Sequence, residues 1–124
     1  LICAVGNDNF GALLDVGNFL CADEESPKAV GLLANYAKHV HVKDFHVKKG
    51  SEIDPGDGWF QSRGGNYLRG AIIGHGVIPI VQCLRLLKKS GYAGAVSIEF
   101  EGMEDALTGI RLGKKNLDRF LSMI

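Results

Sequence analysis

The sequence predicts an α/β fold with parallel strands. Two observations carry this prediction: short strand-like runs alternate with segments whose apolar residues recur at helical spacing, and the order along the chain is β-α-β-α-β-α. Connections of this kind pass a helix across the sheet, are almost always right-handed and leave successive strands parallel. The 124 residues are expected to form one domain, residues 1–124, because no linker, repeat or low-complexity segment divides them.

The first strand and the first helix have clear boundaries. Residues 10–16 form a short apolar run that ends at a Gly-Asn pair, which is typical of a buried strand stopped by a turn. Residues 26–38 carry apolar side chains at helical spacing and predict an amphipathic helix. Ser26 is the expected N-cap, and Pro27 occupies the first helical position, where proline is favoured.

The second strand is followed by a long segment without clear periodicity. Residues 39–44, His-Val-His-Val-Lys-Asp, alternate strictly and place valine at every second position, which predicts a strand. Residues 45–76 are rich in glycine and contain the single tryptophan. They are expected to form a long loop, and such loops in compact domains are usually functional or mobile.

The remaining residues predict a helix, a strand and a last helix. Residues 79–90 place isoleucine, valine and leucine side chains on one helical face, and a Ser-Gly pair ends the segment. Residues 95–100, Ala-Val-Ser-Ile-Glu-Phe, predict the third strand. The last helix is expected from about Met103 to Leu121.

The charge balance argues against a polyanionic partner. The chain has 14 basic and 14 acidic side chains, and no run of lysine or arginine is longer than a pair. Nucleic-acid backbones and anionic membranes attract proteins through clustered positive charge, which this chain lacks. We therefore expect neither nucleic acid nor membrane as a partner.

The compartment is expected to be the cytoplasm. No apolar stretch approaches the roughly 20 residues that span a bilayer, and the first residues lack the pattern of a signal peptide. The three cysteines are odd in number, widely spaced and in no C-x-x-C pair. They predict neither a disulfide framework nor a thiolate zinc site, and we interpret them as ordinary reduced thiols.

Each predicted strand carries an ionisable residue near its C-terminal end: Asp15, His41 and Glu99. Successive strand side chains point to opposite faces, so each of these residues lies opposite the apolar residues that would pack under helices. In parallel α/β folds, ligands bind at the carboxyl ends of the strands. Two carboxylates and an imidazole converging there would suit Mn²⁺, Co²⁺, Zn²⁺ or Mg²⁺.

Each of these residues also has a purely structural interpretation. Asp15 precedes a Gly-Asn pair and is equally consistent with a turn residue. His41 is also consistent with a hydrogen-bonded core histidine. Glu99 is harder to explain in this way, because a glutamate within an apolar strand is costly to bury unless it is paired or bound to a metal. The coincidence of all three at matching strand ends favours a site.

Four motifs resemble a known family. They are Gly-Ala-Leu-Leu-Asp-Val-Gly-Asn at 11–18, His-Val-His-Val-Lys-Asp at 39–44, Gly-His-Gly at 74–76 and Val-Ser-Ile-Glu-Phe-Glu-Gly at 96–102. In this order they are similar to the last three strands of the xylose-isomerase-like sugar isomerase/epimerase barrels. The resemblance implies a (β/α) TIM-barrel type of fold, present here as a partial barrel of about three C-terminal β/α units. A complete barrel takes about 250 residues, so the chain would correspond to roughly its C-terminal half.

The resemblance also implies a set of metal ligands. In that family, a glutamate, an aspartate, a histidine and a second glutamate on four successive strands hold a divalent metal. Asp15, His41 and Glu99 match the last three by position, and no residue here matches the first glutamate. Many members place a substrate-binding histidine three residues after the aspartate, where this chain has Asn18. Asparagine can donate a hydrogen bond to a sugar hydroxyl but does not titrate near neutrality.

The implied activity is sugar or sugar-phosphate isomerisation or epimerisation. A divalent metal would stabilise an enediolate formed from adjacent carbonyl and hydroxyl groups, and Glu99 would act as both ligand and acid/base. Without the first glutamate, the chain alone is expected to be a poor catalyst. The candidate substrate-binding residues are Asn18, Lys43, His46, Arg69 and His75.

Several of these candidates have alternatives. Lys43 either faces the pocket or forms an ion pair with Asp44, and Arg69 either holds a phosphate or carboxylate or is a solvated loop residue. His75 lies between glycines, which would permit close backbone approach to a ligand. The Trp-Phe pair at 59–60 is either a lid over the sugar or an anchor for the loop.

Two other functions compete with the isomerase/epimerase hypothesis. The endonuclease IV branch of the same scaffold requires more metal ligands and a basic DNA-facing surface, which the zero net charge argues against. The second alternative is a non-catalytic half-barrel subunit or assembly module with a vestigial site. A half barrel exposes the inner face of its sheet, so we expect a homo-oligomer or a complementing N-terminal half in addition to a small sugar ligand.

Overall fold

A computed structural model describes all 124 residues. The chain forms four helices and six strands, with short 3₁₀ segments at Asn18–Ala22 and Ala34–Tyr36. In chain order the elements are α1 (Ile2–Val5), β1 (Ala12–Asp15), α2 (Ser26–Leu33), β2 (Ala37–Val42), β3 (Asp44–Lys48), β4 (Phe60–Gln61), β5 (Tyr67–Ala71), α3 (Ile80–Lys89), β6 (Val96–Ile98) and α4 (Ala106–Leu121).

The predicted α/β part is a three-stranded parallel sheet in the order β1-β2-β6. In its register Asp15 lies opposite His41, and His41 lies opposite Ser97. Glu99 follows β6 directly and donates its backbone N–H to the carbonyl of Val42, which continues the ladder by one step. The three strands therefore end at the same edge of the sheet, and their last polar side chains are neighbours.

One face of the sheet is buried under helices, as the residue alternation predicts. Leu14, Val16, Val40 and Val42 are at most 1% exposed and belong to a cluster of 13 buried residues that includes the inner face of α3. Burying one such side chain stabilises a fold by about 2 kcal/mol. The opposite face is open: Leu13, on the same side of β1 as Asp15, is 60% exposed.

The prediction of a loop over residues 45–76 is wrong. Strands β3, β5 and β4 form an antiparallel sheet in that order, with β3 paired to β5. Phe45 and Leu68 on one of its faces are each 1% exposed, and the Phe60 ring packs edge-on against Phe45 at 5.8 Å. Short strands that pair across some twenty residues leave little local periodicity, so tertiary pairing decides their structure. We call residues 44–71 the hairpin excursion.

Asp23 joins the far end of this excursion to the connection that follows β1. Its carboxylate accepts hydrogen bonds from the hydroxyl of Ser62, the amide nitrogen of Gly64 and the side chain of Asn66. These donors lower the pKa of Asp23, with the Ser62 bond as the largest cause. Asp23 adopts φ 58°, a left-handed conformation that is uncommon outside glycine. Its position just after the turn at Asn18–Ala22 connects the excursion to the end of β1.

The helix boundaries differ from the predictions at three ends. The N-cap of α2 is Glu25 rather than Ser26, and the Ser26 hydroxyl is buried without a partner. This helix ends at Leu33, because a 3₁₀ turn leads from there into β2. The last helix begins at Ala106 because the side chain of Asp105 accepts the amide of Thr108 and caps it. None of the helices combines the length and apolar character needed to cross a membrane.

The three cysteines are free, as predicted. Cys83 lies in the core with 0% exposure, and burial raises the pKa of its thiol to about 12. Cys3 is exposed, so the two thiols differ in access to solvent.

Candidate metal centre

Asp15 closes the turn after β1 with one carboxylate oxygen and leaves the other oxygen without a partner beside the candidate site. Its Oδ1 accepts the amide hydrogens of Gly17 at 2.8 Å and Asn18 at 3.0 Å, which closes the turn after β1. Its Oδ2 is buried and has no hydrogen-bond partner. Burial is the largest cause that raises the pKa of the Asp15 carboxyl, and the neighbouring carboxyl of Glu99 raises it further. A buried carboxylate oxygen without a donor is costly, and a cation would compensate for it.

His41 and Glu99 complete a triad with Asp15 on the open face. Each of the three offers a ligand atom, and these atoms all lie within 4.8 Å of one another. His41 Nδ1 is 3.5 Å from Glu99 Oε2, and the two side chains are 27% and 36% exposed. The edge of the His39 ring packs against His41 at 5.2 Å, and His39 Nε2 is hydrogen-bonded to the Ser97 hydroxyl at 2.8 Å. His41 is therefore oriented on an accessible face rather than enclosed in the core.

Lys43 lies beside the triad. Its side chain is only 4% exposed, and its Nζ is 3.0 Å from Glu99 Oε2 and 2.9 Å from Glu101 Oε2. The same ammonium donates to Asn18 Oδ1 at 3.3 Å. Of the two alternatives for Lys43, the structure therefore has the one that faces the site, and the ion pair with Asp44 is not formed.

The contacts of Lys43 change the acidity of its neighbours. Burial acts to lower the pKa of Lys43, but the hydrogen bonds to Glu101 and Glu99 outweigh it and the pKa rises. The bond from Lys43 is the largest cause that lowers the pKa of Glu99. Both groups are thus held in their charged forms at neutral pH.

The donor set and the charge of this cluster fit a divalent cation. Two carboxylates and an imidazole are oxygen and nitrogen ligands of the type that Mn²⁺, Co²⁺, Zn²⁺ and Mg²⁺ bind. With Glu101 included, three carboxylates face one ammonium, so the cluster carries two net negative charges when all are ionised and His41 is neutral. A divalent ion would balance this charge.

Glu101 is a member of this cluster that the sequence analysis did not select. It follows Glu99 by two residues and thus lies on the same face of the chain, which is the signal that could have identified it. The backbone at Glu101 packs directly against Gly70 of β5, where a Cβ atom would collide with the Glu101 carbonyl. The hairpin excursion therefore fixes the position of the segment after β6.

Asp44 points away from the site and anchors the base of the hairpin excursion. Its carboxylate accepts four backbone amides, with Oδ1 bound to Phe45 and Ile78 and Oδ2 bound to Gly74 and Gly76. The residue is 0% exposed. A Cβ at Gly76 would collide with this carboxylate, so the close approach that the glycines permit is to Asp44 rather than to a ligand. Asp44 thereby joins the start of β3 to the segment that leads into α3.

Three of the predicted substrate-binding residues are not brought to the triad. His75 is exposed, and its amide donates to Ile72 within a turn. His46 and Arg69 are register partners in the antiparallel sheet, on the face opposite Phe45. The Arg69 guanidinium lies 5.4 Å from the Trp59 ring, and its Nε is buried without a partner. Of the predicted binding residues, the structure places Asn18 and Lys43 near the triad.

A lysine-to-methionine exchange tests the electrostatic role of Lys43. We expect Lys43→Met to raise the pKa of Glu99, because the largest cause that lowers it is removed. A carboxyl whose pKa is lowered in the folded state stabilises the fold at pH values above the ordinary glutamate pKa. This stabilisation is lost as the pH falls through the lowered pKa. The variant should therefore lose less stability between neutral and acidic pH than the wild type.

The measurement is a carboxyl-carbon NMR titration of Glu99, with urea unfolding at several pH values. Lys114→Met is the matched control, because Lys114 pairs with Asp118 on the exposed face of α4. An unchanged Glu99 titration in Lys43→Met would contradict the assigned contact.

Comparisons with known proteins agree on one fold. The sequence model of a family described as "xylose isomerase-like TIM barrel" matches residues 1–120. A xylose isomerase domain protein from Planctomyces limnophilus is structurally similar, with TM-score 0.70 and 23% identity, over 98% of this chain and 40% of that protein. A xylose isomerase domain protein from Alicyclobacillus acidocaldarius gives TM-score 0.62 and 26% identity, over 96% of this chain and 39% of that protein. None of the curated proteins matches the chain.

The chain thus spans about two fifths of the length of these two solved structures. This share agrees with the three parallel strands of its sheet, since a complete barrel has eight.

Proposed function

Because the chain belongs to the xylose isomerase-like TIM-barrel family, we propose that it is part of a metal-dependent sugar isomerase or epimerase. The observation that carries this proposal is the triad of Asp15, His41 and Glu99, whose ligand atoms lie within 4.8 Å of one another at the ends of three parallel strands. In barrels of this type, the active site lies at the carboxyl ends of the strands. The substrate would be a small sugar or related polyol carbonyl compound.

Asp15, His41 and Glu99 would hold the ion, which we expect to be Mn²⁺, Co²⁺, Zn²⁺ or Mg²⁺. When bound, such an ion supplies Lewis acidity, which polarises a carbonyl oxygen and makes the neighbouring C–H more acidic. The buried, unpartnered Oδ2 of Asp15 and the net negative charge of the cluster support this assignment.

Glu99 is the residue that we propose to move the proton. In an isomerisation, its carboxylate would accept the proton from the carbon next to the substrate carbonyl and deliver it to the carbonyl carbon, while a hydroxyl proton moves between the two oxygens. In an epimerisation, the glutamate that this chain does not match would deliver a proton to the opposite face. Lys43 keeps the Glu99 carboxylate ionised and restricts its position through the 3.0 Å contact. Asn18, whose Oδ1 accepts from Lys43, has its amide N–H groups available to a sugar hydroxyl.

The remaining part of the site is proposed to come from outside these residues. The inner face of the sheet is open, with Leu13 60% exposed, and the resemblance implies a further glutamate ligand that this chain does not match. We propose that a second copy of the chain or a complementing N-terminal half covers this face. The assembled protein, rather than the isolated chain, would then be the efficient catalyst.

Metal content tests the proposal directly. We expect the purified chain to hold close to one equivalent of Mn, Co or Zn, and Asp15→Asn to reduce the bound metal by about tenfold or more, because an amide is a much weaker ligand for a divalent ion. Elemental analysis normalised to protein, with native mass on the same sample, gives both the stoichiometry and the assembly state. Asp57→Asn is the control, since Asp57 is exposed and makes no side-chain hydrogen bond or ion pair. Equal metal in Asp15→Asn and wild type would contradict the assignment.

A non-catalytic half-barrel module is the second candidate. The uncovered face of the sheet favours it, because an exposed apolar residue such as Leu13 is typical of an assembly surface. In that case assembly would persist in Asp15→Asn and no metal would be bound in either form.

A further inference from the structure

The Lys43 ammonium and the proposed metal ion compete for one carboxylate oxygen. The Nζ atom of Lys43 lies 3.0 Å from Glu99 Oε2, and His41 Nδ1 lies 3.5 Å from the same oxygen. A divalent ion held by His41 and Glu99 would therefore draw on the oxygen that faces the ammonium. Because the ion and the ammonium repel each other, binding of the ion weakens the contact between Lys43 and Glu99.

Lys43 is too deeply buried to escape this repulsion by turning into solvent. Its side chain is only 4% exposed, and its backbone packs against Gly17, where a Cβ atom would lie 2.7 Å from the Lys43 carbonyl oxygen. A buried ammonium is costly unless an anionic partner compensates for it. Asn18 Oδ1, at 3.3 Å, is a neutral acceptor and does not offset the charge. Lys43 therefore needs a carboxylate other than the one that binds the ion.

Glu101 supplies this second carboxylate. Its Oε2 accepts a hydrogen bond from Lys43 at 2.9 Å, which is the shortest contact of the ammonium. Glu101 lies outside the triad, and its backbone is fixed by Gly70, where a Cβ atom would collide with the Glu101 carbonyl. The hydrogen bond is thus anchored at both of its backbone ends and uses no ligand atom of the triad.

From these contacts we infer that Glu101 is a positioning residue of the metal centre. It holds the Lys43 ammonium in place when Glu99 binds a divalent ion, and it thereby raises the affinity of the centre for that ion. The inference rests on the proposed function, because it assumes that the triad binds a metal. Glu101 acts on the ion only through Lys43, whereas a fourth ligand would contact the ion itself.

Manganese titrations of the full chain test the inference. Electron paramagnetic resonance measures free Mn²⁺ and gives the dissociation constant. We expect Glu101→Gln to weaken Mn²⁺ binding by about tenfold, as is typical when a residue that orients a metal ligand is lost. Glu104→Gln is the matched control, because Glu104 is an exposed glutamate of the same segment and makes no side-chain hydrogen bond or ion pair.

A double-mutant cycle shows whether Glu101 acts through Lys43. The control Glu104→Gln should change Mn²⁺ affinity by no more than about twofold, since solvent and salt screen an exposed charge. In the Lys43→Met background, Glu101→Gln should cost no more than this control, because the ammonium that Glu101 holds is absent. The loss of affinity in the single variant is then a coupling between the two side chains.

The ammonium of Lys43 gives a spectroscopic readout of the same contact. A buried ammonium held by hydrogen bonds exchanges its hydrogens with water more slowly than an exposed one. We expect one lysine ammonium resonance, absent in Lys43→Met, to persist in the wild type saturated with Mg²⁺ and to be lost in Glu101→Gln. Circular dichroism on the same samples checks that Glu101→Gln is folded, as expected for a side chain that is 59% exposed.

The outcomes separate the inference from the proposed function. An equal loss of Mn²⁺ affinity in Glu101→Gln with and without Lys43 overturns the inference, because Glu101 would then act on the ion directly. An effect of Glu101→Gln no larger than that of Glu104→Gln also overturns it and leaves the proposed function standing. If the wild type binds no Mn²⁺, or if Asp15→Asn binds it as tightly as the wild type, the proposed function fails and the inference fails with it.

Discussion

Replacing Asp44 with alanine should destabilise the chain by about 3 kcal/mol or more, although Asp44 takes no part in the proposed chemistry. The side chain is 0% exposed, and both its oxygens accept two amide hydrogens each. Alanine would leave these donors without an acceptor, and each buried donor left unsatisfied costs about 1–3 kcal/mol. Of the four amide donors, those of Phe45 and Ile78 form the most buried hydrogen bonds to Asp44.

Asparagine at this position should have a smaller but still large effect. An amide side chain keeps one acceptor oxygen, which can serve two of the four donors, but presents an NH₂ group to the other two. On the Oδ2 side those donors are the amides of Gly74 and Gly76. We therefore expect the order of stability to be wild type, then Asp44→Asn, then Asp44→Ala.

Urea unfolding followed by tryptophan fluorescence and by circular dichroism measures this loss. Trp59 is the single tryptophan and lies in the hairpin excursion, so fluorescence reports on that part, while helix content reports on the parallel sheet and its helices. Asp57→Ala serves as the control, because Asp57 is exposed within the same excursion and makes no side-chain hydrogen bond or ion pair. Equal stability of Asp44→Ala and Asp57→Ala would refute the anchoring role.

Detachment of the hairpin excursion should also weaken metal binding at the candidate centre. Lys43 precedes Asp44 directly, and Gly70 of β5 packs on the backbone of Glu101. If Asp44 is replaced, the hairpin excursion no longer fixes the positions of Lys43 and of the two glutamates that its ammonium contacts, Glu99 and Glu101. We therefore expect weaker metal binding in Asp44→Ala even under conditions in which the parallel sheet remains folded.

The parallel sheet and the triad could be predicted from local pattern because both depend on alternation. In β2, Val40 and Val42 pack under the helices, so His39, His41 and Lys43 must lie on the other face whatever the rest of the chain does. Parallel pairing then aligns the carboxyl ends of the strands, and the polar side chains near those ends become neighbours without any further information.

The hairpin excursion could not be predicted in the same way. Its strands are two to five residues long and contain glycine, so their hydrogen bonds depend on a partner that lies about twenty residues away. The role of Asp44 was hidden for a related reason. A residue beside Lys43 suggests a local ion pair, whereas four amides from distant turns converge on this carboxylate only in the folded chain.

Glu99→Gln should greatly slow proton exchange between substrate and solvent while the chain remains folded. Glutamine has nearly the same shape but cannot accept a proton, and removal of a general base typically slows a reaction about 100- to 10,000-fold. The Glu99 side chain is 36% exposed on the open face, so its replacement removes no core packing. Lys43 keeps an ionic partner in Glu101. We expect incorporation of solvent deuterium into a ketose to fall by about 1,000-fold.

Glu99 is also a proposed ligand, so its two roles must be separated. Asp15→Asn removes a ligand without removing the base, and the deuterium exchange rate divided by bound metal should therefore fall much less in Asp15→Asn than in Glu99→Gln. Glu104→Gln controls for loss of one negative charge in the same segment, because Glu104 is exposed and makes no side-chain hydrogen bond or ion pair. The deuterium exchange rates of Asp15→Asn and Glu99→Gln could instead both fall only in proportion to the metal that each variant loses. In that case Glu99 acts through coordination alone, and a different group must carry the proton.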